Sequence, residues 1–221
     1  MESSEEVIFG YFDRRGRAGV CRNLLAYCGV PFRQKIYSNP DDWFEKDRKE
    51  LGFEYPNVPY LIDGDKKITD TISILYYIPM KVGKRELIGD TDDKFLQVNT
   101  ALHVNFDMLT ELTGFIFRDK ENFEANKEAA FTKGKLKNKL EYVKKNLEGK
   151  EWQTGFFSVA GFELFEIIDI INDMEPKRLE LYPNLIAFHQ RFLQIPQVKA
   201  HRGSKDFIKR WFPPIANWNN V

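Results

Sequence analysis

The chain has few cysteines and histidines, and neither sign of charge is in excess. Its 221 residues include two Cys and three His, and 33 Lys and Arg balance 33 Asp and Glu. Two cysteines cannot build a disulfide framework. A chain without net positive charge also lacks the field that draws proteins to phosphate backbones or anionic lipid. We therefore expect neither a disulfide-stapled secreted domain nor a nucleic-acid-binding protein.

Long apolar runs are missing as well. The mean hydropathy is −0.47, and no uncharged apolar stretch approaches the roughly 18 residues of a membrane-spanning helix. Met1 is followed by Glu-Ser-Ser-Glu-Glu, the opposite of the basic and then apolar start of a secretory leader. Because 43% of residues are hydrophobic, including 19 Phe, a sizeable core is expected rather than disorder. We expect a cytoplasmic protein without a membrane partner.

The residues that usually build metal, nucleotide or cysteine-dependent sites do not cluster. His103, His189 and His201 stand apart, with no Cys or carboxylate at metal-ligand spacing. Cys21 and Cys28 lie two turns apart on one predicted helix, too far for a disulfide. A Gly-rich phosphate loop is also missing from the sequence. These three kinds of site are therefore not expected, and the metal prediction is none.

The first eighty residues alternate between strand and helix patterns. A helix is predicted from Ala18 to Tyr27, and a second one follows Thr71, which is predicted as its N-cap. Strands are predicted at residues 7–11, 32–37, 58–62 and 67–69, the last two joined by a tight turn. This order, β-α-β-β-β-α with a linking segment after the second strand, predicts a small mixed sheet covered by helices.

From Thr91 onward the pattern is helical. Helices are predicted over residues 95–117, 123–147, 162–171 and 183–192, the last one ended by Pro196. The third is dense in Phe, Leu and Ile, which indicates the buried centre of a bundle. We therefore predict an α+β domain over 1–84, a linker over 85–90 and an all-helical domain over 91–221.

Pro59 stands inside a predicted strand, where a proline removes a hydrogen-bond donor. A trans proline on an edge strand explains it, and so does a cis Val58–Pro59 bond that turns the neighbouring backbone toward a peptide-like ligand. Base rates favour the trans form, because cis bonds are only about 5–6% of X–Pro bonds.

Three segments in order, residues 10–18, 51–64 and 67–71, resemble cytosolic glutathione transferases. The mu class is the most similar, and Arg17-Ala18 is similar to the sigma class. The resemblance extends through the helical half. It implies a thioredoxin-like N-terminal domain with a cis Pro59, reduced glutathione as co-substrate without a permanently bound cofactor, and a homodimer.

Glutathione conjugation needs the thiolate, yet a thiol with a pKa of about 8.5 is only a few per cent ionised at neutral pH. A tyrosine hydroxyl can stabilise that anion because its own pKa near 10 keeps the proton in place. By resemblance Tyr11 is this catalytic tyrosine, and Arg17 helps to polarise it. From the residues alone, packing in the core is the favoured role for Tyr11, and Arg17 could equally be an exposed residue at a helix start.

The resemblance also implies the residues that hold the tripeptide. Its carboxylates need cations, and its middle residue needs a backbone edge. Asp70 is a departure, because the mu class has Gln-Ser where this chain has Asp70-Thr71. The implied positions are Trp43 with either Arg48 or Lys49 at the glycyl end; Asn57, Val58 and Pro59 at the middle; Asp70 and Thr71 at the γ-glutamyl end; and Asp107, reaching from the partner subunit.

An apolar electrophile site is implied between the domains. An apolar wall suits small hydrophobic electrophiles, either aromatic or lipid-derived. Phe117 stands where mu enzymes have a second tyrosine, so assistance from that position is not expected. Plain core packing is the alternative for each phenylalanine. The matching positions are Phe12, Phe106, Thr110, Phe117 and Phe212, and Tyr55 matches an aromatic residue that inserts into the partner subunit.

The sequence thus predicts a homodimeric glutathione transferase that conjugates small hydrophobic electrophiles. One alternative is a non-catalytic relative that carries ligands or serves a structural role. Asp70, Phe117 and the short loop at 38–42 keep that alternative open. A glutathione-dependent isomerase or peroxidase using the same thiol site is the other alternative.

Overall fold

A computed structural model describes residues 6–218, which form a mixed sheet followed by a helical bundle. The acidic start at residues 1–5 lies outside the described residues. The strands are β1 (Val7–Phe12), β2 (Phe32–Tyr37), β3 (Tyr60–Asp63) and β4 (Lys66–Thr69). Their order is β2-β1-β3-β4, with β1 parallel to β2 and the other pairs antiparallel. The parallel pair follows from the helix that connects β1 to β2.

Helices cover this sheet and continue through the second half of the chain. Short 3₁₀ turns lie at Gly16–Ala18 and Arg85–Ile88, and a π-helical turn lies at Asp42–Asp47. None of the helices within residues 6–218 is long and apolar enough to cross a bilayer. The helices are α1 (Gly19–Cys28), α2 (Arg48–Glu50), α3 (Thr71–Lys81), α4 (Asp92–Arg118), α5 (Phe123–Thr132), α6 (Lys135–Asn146), α7 (Val159–Met174), α8 (Pro176–Leu179), α9 (Pro183–Leu193) and α10 (Pro196–Arg202).

The predicted fold class is confirmed, with α7 buried at the centre of the bundle. The 3₁₀ turn at Arg85–Ile88 lies within the span expected for the linker, and the domain boundaries themselves stay a prediction. Val58–Pro59 is a cis peptide bond, the form that the resemblance implied and the base rate disfavoured.

One helix prediction was wrong, and one helix, α10, was not predicted. The single helix expected over 123–147 is two helices, because Gly134 separates them with its backbone packed tightly on Ala130. A Cβ at Gly134 would come within 2.9 Å of the Ala130 Cα. Pro196 does not only end α9 but also begins α10, since proline suits a first helical turn whose N–H groups have no intrahelical partner.

A buried ion network joins the turn after β1 to α7. Arg15 pairs with Glu166 at 2.7 Å and with Asp169 at 2.8 Å, and all three side chains are at most 5% exposed. Burial alone would raise the pKa of Asp169, but the hydrogen bond to His189 and the charges of Arg15 and Arg202 hold it well below its usual range. The network therefore fixes the N-terminal turn against the helical bundle.

Glu163 lies one helical turn before Glu166 and is almost fully buried. Burial, followed by the charge of Glu166, raises the Glu163 pKa to about 8, and Arg17 opposes the shift. The folded protein therefore keeps a proton that the unfolded chain releases above its ordinary pKa of 4.5. Stability should fall as pH rises from that value to about 8.

We predict that Glu163→Gln stabilises the protein increasingly across this window, because glutamine has no proton to release. The gain should be small near pH 5, should reach about 3 kcal/mol at pH 7, and should level off above pH 8. Denaturant titrations at several pH values measure it. The exposed control Glu148→Gln should leave the pH dependence unchanged, and parallel curves for Glu163→Gln and the unmodified protein would contradict the prediction.

Candidate active site

A cleft of about 600 Å³ opens beside the C-terminal end of β1. Four segments meet there: the end of β1 with its following turn, the π-helical turn, the loop before β3 and the start of α3. Its lining residues are Tyr11, Phe12, Arg17, Trp43, Phe44, Arg48, Pro56, Asn57, Val58, Asp70 and Thr71. Most residues expected to hold glutathione therefore line one cleft, although they are far apart in sequence.

Tyr11 is buried, but its hydroxyl is positioned by the turn that follows it. The backbone N–H of Arg17 donates to the Tyr11 oxygen at 3.2 Å. Gly16 has a φ of +43°, and a Cβ there would lie 2.8 Å from the same oxygen, so glycine suits both the conformation and the close approach. Because this oxygen already accepts one hydrogen bond, the hydroxyl proton is available to donate to a ligand atom.

Arg17 contacts Tyr11 through its backbone rather than through its side chain. The guanidinium carbon lies 5.7 Å from the centre of the Phe106 ring. The sequence had suggested that the charge of Arg17 polarises the tyrosine. In the structure the donor to Tyr11 is a main-chain N–H that any residue except proline could supply.

The π-helical turn explains why the sequence could not choose between Arg48 and Lys49. In such a turn an N–H bonds to the carbonyl five residues earlier, and here Arg48 bonds to Trp43. Trp43 and Arg48 therefore lie one turn apart and both line the cleft. Lys49 pairs with Glu45 at 2.7 Å instead and does not line the cleft. An α-helical period of about 3.6 residues would not have aligned Trp43 with Arg48.

A buried network that the sequence analysis missed holds the end of this turn. The Tyr37 hydroxyl donates to Asp47 at 2.6 Å and lies 2.8 Å from the Tyr60 hydroxyl, and Tyr60 stacks on Trp43. Burial and the hydrogen bonds with Asp47 and Tyr60 hold the pKa of Tyr37 far above its ordinary value. The sequence indication of this network is that Tyr37 ends β2 and Tyr60 begins β3, the two strands on either side of β1.

Asp70, rather than Thr71, is the N-cap of α3. Its carboxylate accepts from the Ile72 N–H at 3.1 Å, whereas the Thr71 hydroxyl donates to the Arg17 carbonyl at 3.2 Å. Asp70 has a φ of 71°, a strained conformation for a residue with a side chain. The Pro59 carbonyl accepts the Asp70 N–H at 3.2 Å. The cis-proline loop and the start of α3 are thereby joined at the cleft.

Asp107 and Tyr55 are expected to act across an interface with a second subunit. Asp107 is on the exposed face of α4 and pairs with Lys139 at 2.7 Å, and hydrogen bonding with Lys139 and its charge lower the Asp107 pKa. Tyr55 is 74% exposed. Neither residue lines the cleft of its own chain, so their expected roles across a dimer interface stay predictions.

The residues expected to bind the electrophile are only partly brought together. Phe12 lines the cleft, but Phe117 and Phe212 pack on each other at 5.5 Å and do not line it. Phe106 is half-buried. The Thr110 hydroxyl donates to the Phe106 carbonyl at 2.8 Å, which engages its proton within α4.

The structure thus combines a mixed sheet and a helical bundle with a cleft that is lined by Tyr11 and by the cationic residues Arg17 and Arg48. The family model described as glutathione S-transferase, N-terminal domain, matches residues 8–79, and the C-terminal domain model matches residues 106–205. The chain is 32% identical to human glutathione S-transferase Mu 1 and 30% identical to chicken glutathione S-transferase 2. Each alignment covers 97% of this chain and 98–99% of the relative.

A solved structure of the glutathione S-transferase Blo t 8 has the same fold, with a TM-score of 0.83. Its sequence is 24% identical, over 96% of this chain and 99% of that one. The two family models and the curated relatives show that the chain belongs to the glutathione S-transferase family.

We predict that Arg48→Gln weakens glutathione binding about tenfold, because Arg48 lines the cleft and a charge-assisted hydrogen bond to a carboxylate would be lost. The adjacent Lys49→Gln removes the same charge outside the cleft and serves as the control. It should change the dissociation constant less than about twofold. Calorimetric titration with glutathione measures both variants, and equal losses would contradict the assignment.

Proposed function

We propose that this protein conjugates reduced glutathione to small hydrophobic electrophiles and that Tyr11 stabilises the thiolate. The supporting observation is the Tyr11 hydroxyl, which is held at the cleft by the Arg17 N–H. Family membership supports the reaction class. No permanently bound cofactor is needed, because the co-substrate supplies the reacting thiol. A reducing compartment such as the cytoplasm keeps that thiol in its reduced form.

The cleft residues fit the three parts of the tripeptide. Arg48 and Trp43 lie where the glycyl carboxylate would bind, and the loop at Asn57 and Val58 offers backbone to the middle residue. The N-terminus of α3 at Thr71 favours the γ-glutamyl carboxylate. The Asp70 carboxylate balances the γ-glutamyl ammonium group. The Val58 N–H is occupied by the Asn57 side chain at 2.9 Å, so this contact would exchange when the peptide binds.

Stabilising the glutathione thiolate requires only a modest free energy. Lowering a thiol pKa from about 8.5 toward neutrality by one to two units needs about 1.4–2.7 kcal/mol of preference for the anion. A hydrogen bond to a charged acceptor contributes about 1.5–3 kcal/mol. One well-placed Tyr11 hydroxyl is therefore sufficient. The thiolate then attacks the electrophilic carbon, forming a C–S bond as the leaving group departs with its electrons.

We predict that bound glutathione has a thiol pKa one to two units below its free value, about 8.5, and that Tyr11→Phe restores it. Ultraviolet absorbance of the thiolate during a pH titration measures both. The exposed Tyr142→Phe is the matched control and should leave the titration unchanged. Glutathione that binds with an unshifted thiol pKa would instead indicate a non-catalytic carrier.

We also propose that the protein is a homodimer. A second cavity of about 500 Å³ lies between α4 and α6, where Thr100, Val104 and the exposed Tyr142 line it. The Tyr55 ring is largely exposed just before Pro56. Aromatic anchors that fill apolar pockets dominate many interfaces. The cavity can therefore accommodate the Tyr55 side chain of a second copy of the chain.

We predict that Tyr55→Ala weakens the dimer by at least about tenfold in dissociation constant, as expected for removing an interface anchor. Val104→Arg should have the same effect by filling the cavity from the other side. Analytical ultracentrifugation over a concentration series measures the change. The control Leu181→Ala removes an exposed side chain elsewhere and should leave the association intact. If the unmodified protein sediments as a monomer, the proposed homodimer is refuted.

A further inference from the structure

The turn after β1 carries three arginines with different environments. Arg15 points inward and pairs with Glu166 and Asp169. Across residues 6–218, no ion pair or side-chain hydrogen bond is formed by the guanidinium groups of Arg14 and Arg17. The turn therefore leaves two unpaired cations, one near the Phe12 ring and the other near the Phe106 ring.

Arg14 packs against the ring of Phe12, a cleft-lining residue, although Arg14 does not itself line the cleft. Its guanidinium carbon lies 4.3 Å from the centre of the Phe12 ring and 5.9 Å from that of Tyr11. Its backbone is fixed on both sides, because the Arg14 N–H donates to the Phe12 carbonyl at 2.7 Å and the Arg14 carbonyl accepts from Arg22 at 2.9 Å. Stacking on the two rings leaves the N–H edges of the guanidinium free to bind an anion.

The carboxylates near these arginines form no ion pair with Arg14 or Arg17 within the described residues. Asp70 is the one carboxylate among the cleft-lining residues and caps α3. Glu163 interacts electrostatically with Arg17 but is buried in α7. Asp13 is exposed and forms no ion pair within the described chain. The positive charge beside Phe12 is therefore available to a ligand.

Glutathione does not account for this charge. In the proposed binding mode Arg48 holds the glycyl carboxylate and the start of α3 holds the γ-glutamyl carboxylate, so neither engages the Arg14 guanidinium beside Phe12. An apolar wall with an unpaired guanidinium at its edge favours a ligand that is hydrophobic and anionic together. Resting on the proposed function, we infer that the electrophile site selects hydrophobic electrophiles that carry a carboxylate, with Arg14 as the specificity-determining residue and Arg17 as a second contact.

A chlorodinitrobenzoate and its methyl ester form the test pair. In both, the glutathione thiolate attacks the ring carbon that bears chlorine, so that a C–S bond forms and chloride leaves with the C–Cl electron pair. No oxidant or further reactant is required. Dividing each kcat/KM by the uncatalysed rate constant with glutathione removes the difference in intrinsic reactivity between acid and ester.

The expected normalised preference for the acid is about tenfold in the unmodified protein and should shrink at high salt. Arg14→Gln should lower this preference about five- to tenfold, because kcat/KM for the acid falls much more than kcat/KM for the ester. Arg14→Lys should restore part of the preference for the acid, because lysine keeps the charge but lacks the planar guanidinium that binds a carboxylate through two N–H groups. The exposed Arg85→Gln removes the same net charge outside the cleft and should leave the preference intact.

The inference would be overturned if the preference for the acid persisted both in Arg14→Gln and in the double variant with Arg17→Gln. It would also be overturned if Arg85→Gln lost as much of this preference as Arg14→Gln. A binding experiment separates this inference from the proposed function. The acid and ester conjugates of glutathione form without enzyme, and calorimetry compares their affinities. If neither electrophile is conjugated, the proposed function fails, but tighter Arg14-dependent binding of the acid conjugate still supports the inference and equal binding refutes it.

Discussion

The buried ion network of Arg15 fixes the geometry on which the cleft depends. Burying an arginine costs several kcal/mol unless its charge is paired and its N–H groups are bonded. Two carboxylates of α7 meet that requirement, and Trp211 covers the guanidinium with its ring centre 3.3 Å away. Backbone hydrogen bonds from Arg15 and Gly16 to the carbonyls of Arg210 and Trp211 add to the attachment. The turn after β1 is thus held by the helical bundle and by the tail.

Once this turn is fixed, its backbone positions the hydroxyl groups of Tyr11 and Thr71. The Arg17 N–H reaches the Tyr11 oxygen, and the Arg17 carbonyl accepts the Thr71 hydroxyl. The same turn directs Arg15 inward and leaves Arg14 and Arg17 outward. A short segment therefore links the packing of α7 to the Tyr11 hydroxyl, so a change in that packing can displace the hydroxyl without touching the cleft itself.

Periodicity was sufficient to predict the regular elements but not the local departures from regularity. The runs ending in Tyr11 and spanning α4 and α7 follow simple strand and helix periods, so their places were predicted. The π-helical turn follows neither period, which left Arg48 and Lys49 undecided. The buried acids of α7 were also missed, because Glu163 and Asp169 interrupt an apolar run, and only tertiary contacts show that one is paired and the other is not.

The arrangement of charge around the turn explains how two anions can share one cleft. A carboxylate-bearing electrophile and a thiolate repel each other, and that repulsion is strong where water is excluded. The guanidinium carbons of Arg14 and the buried Arg22 each lie 5.9 Å from the centre of the Tyr11 ring, and Arg17 lines the cleft, whereas Glu166 and Asp169 of α7 pair with Arg15. Burial lowers the pKa of Arg22 only to about 10, so it stays charged at neutral pH. Although the chain is neutral overall, Arg14, Arg17 and Arg22 lie near Tyr11 or the cleft, and in the proposed complex their charge would offset the repulsion between the two anions.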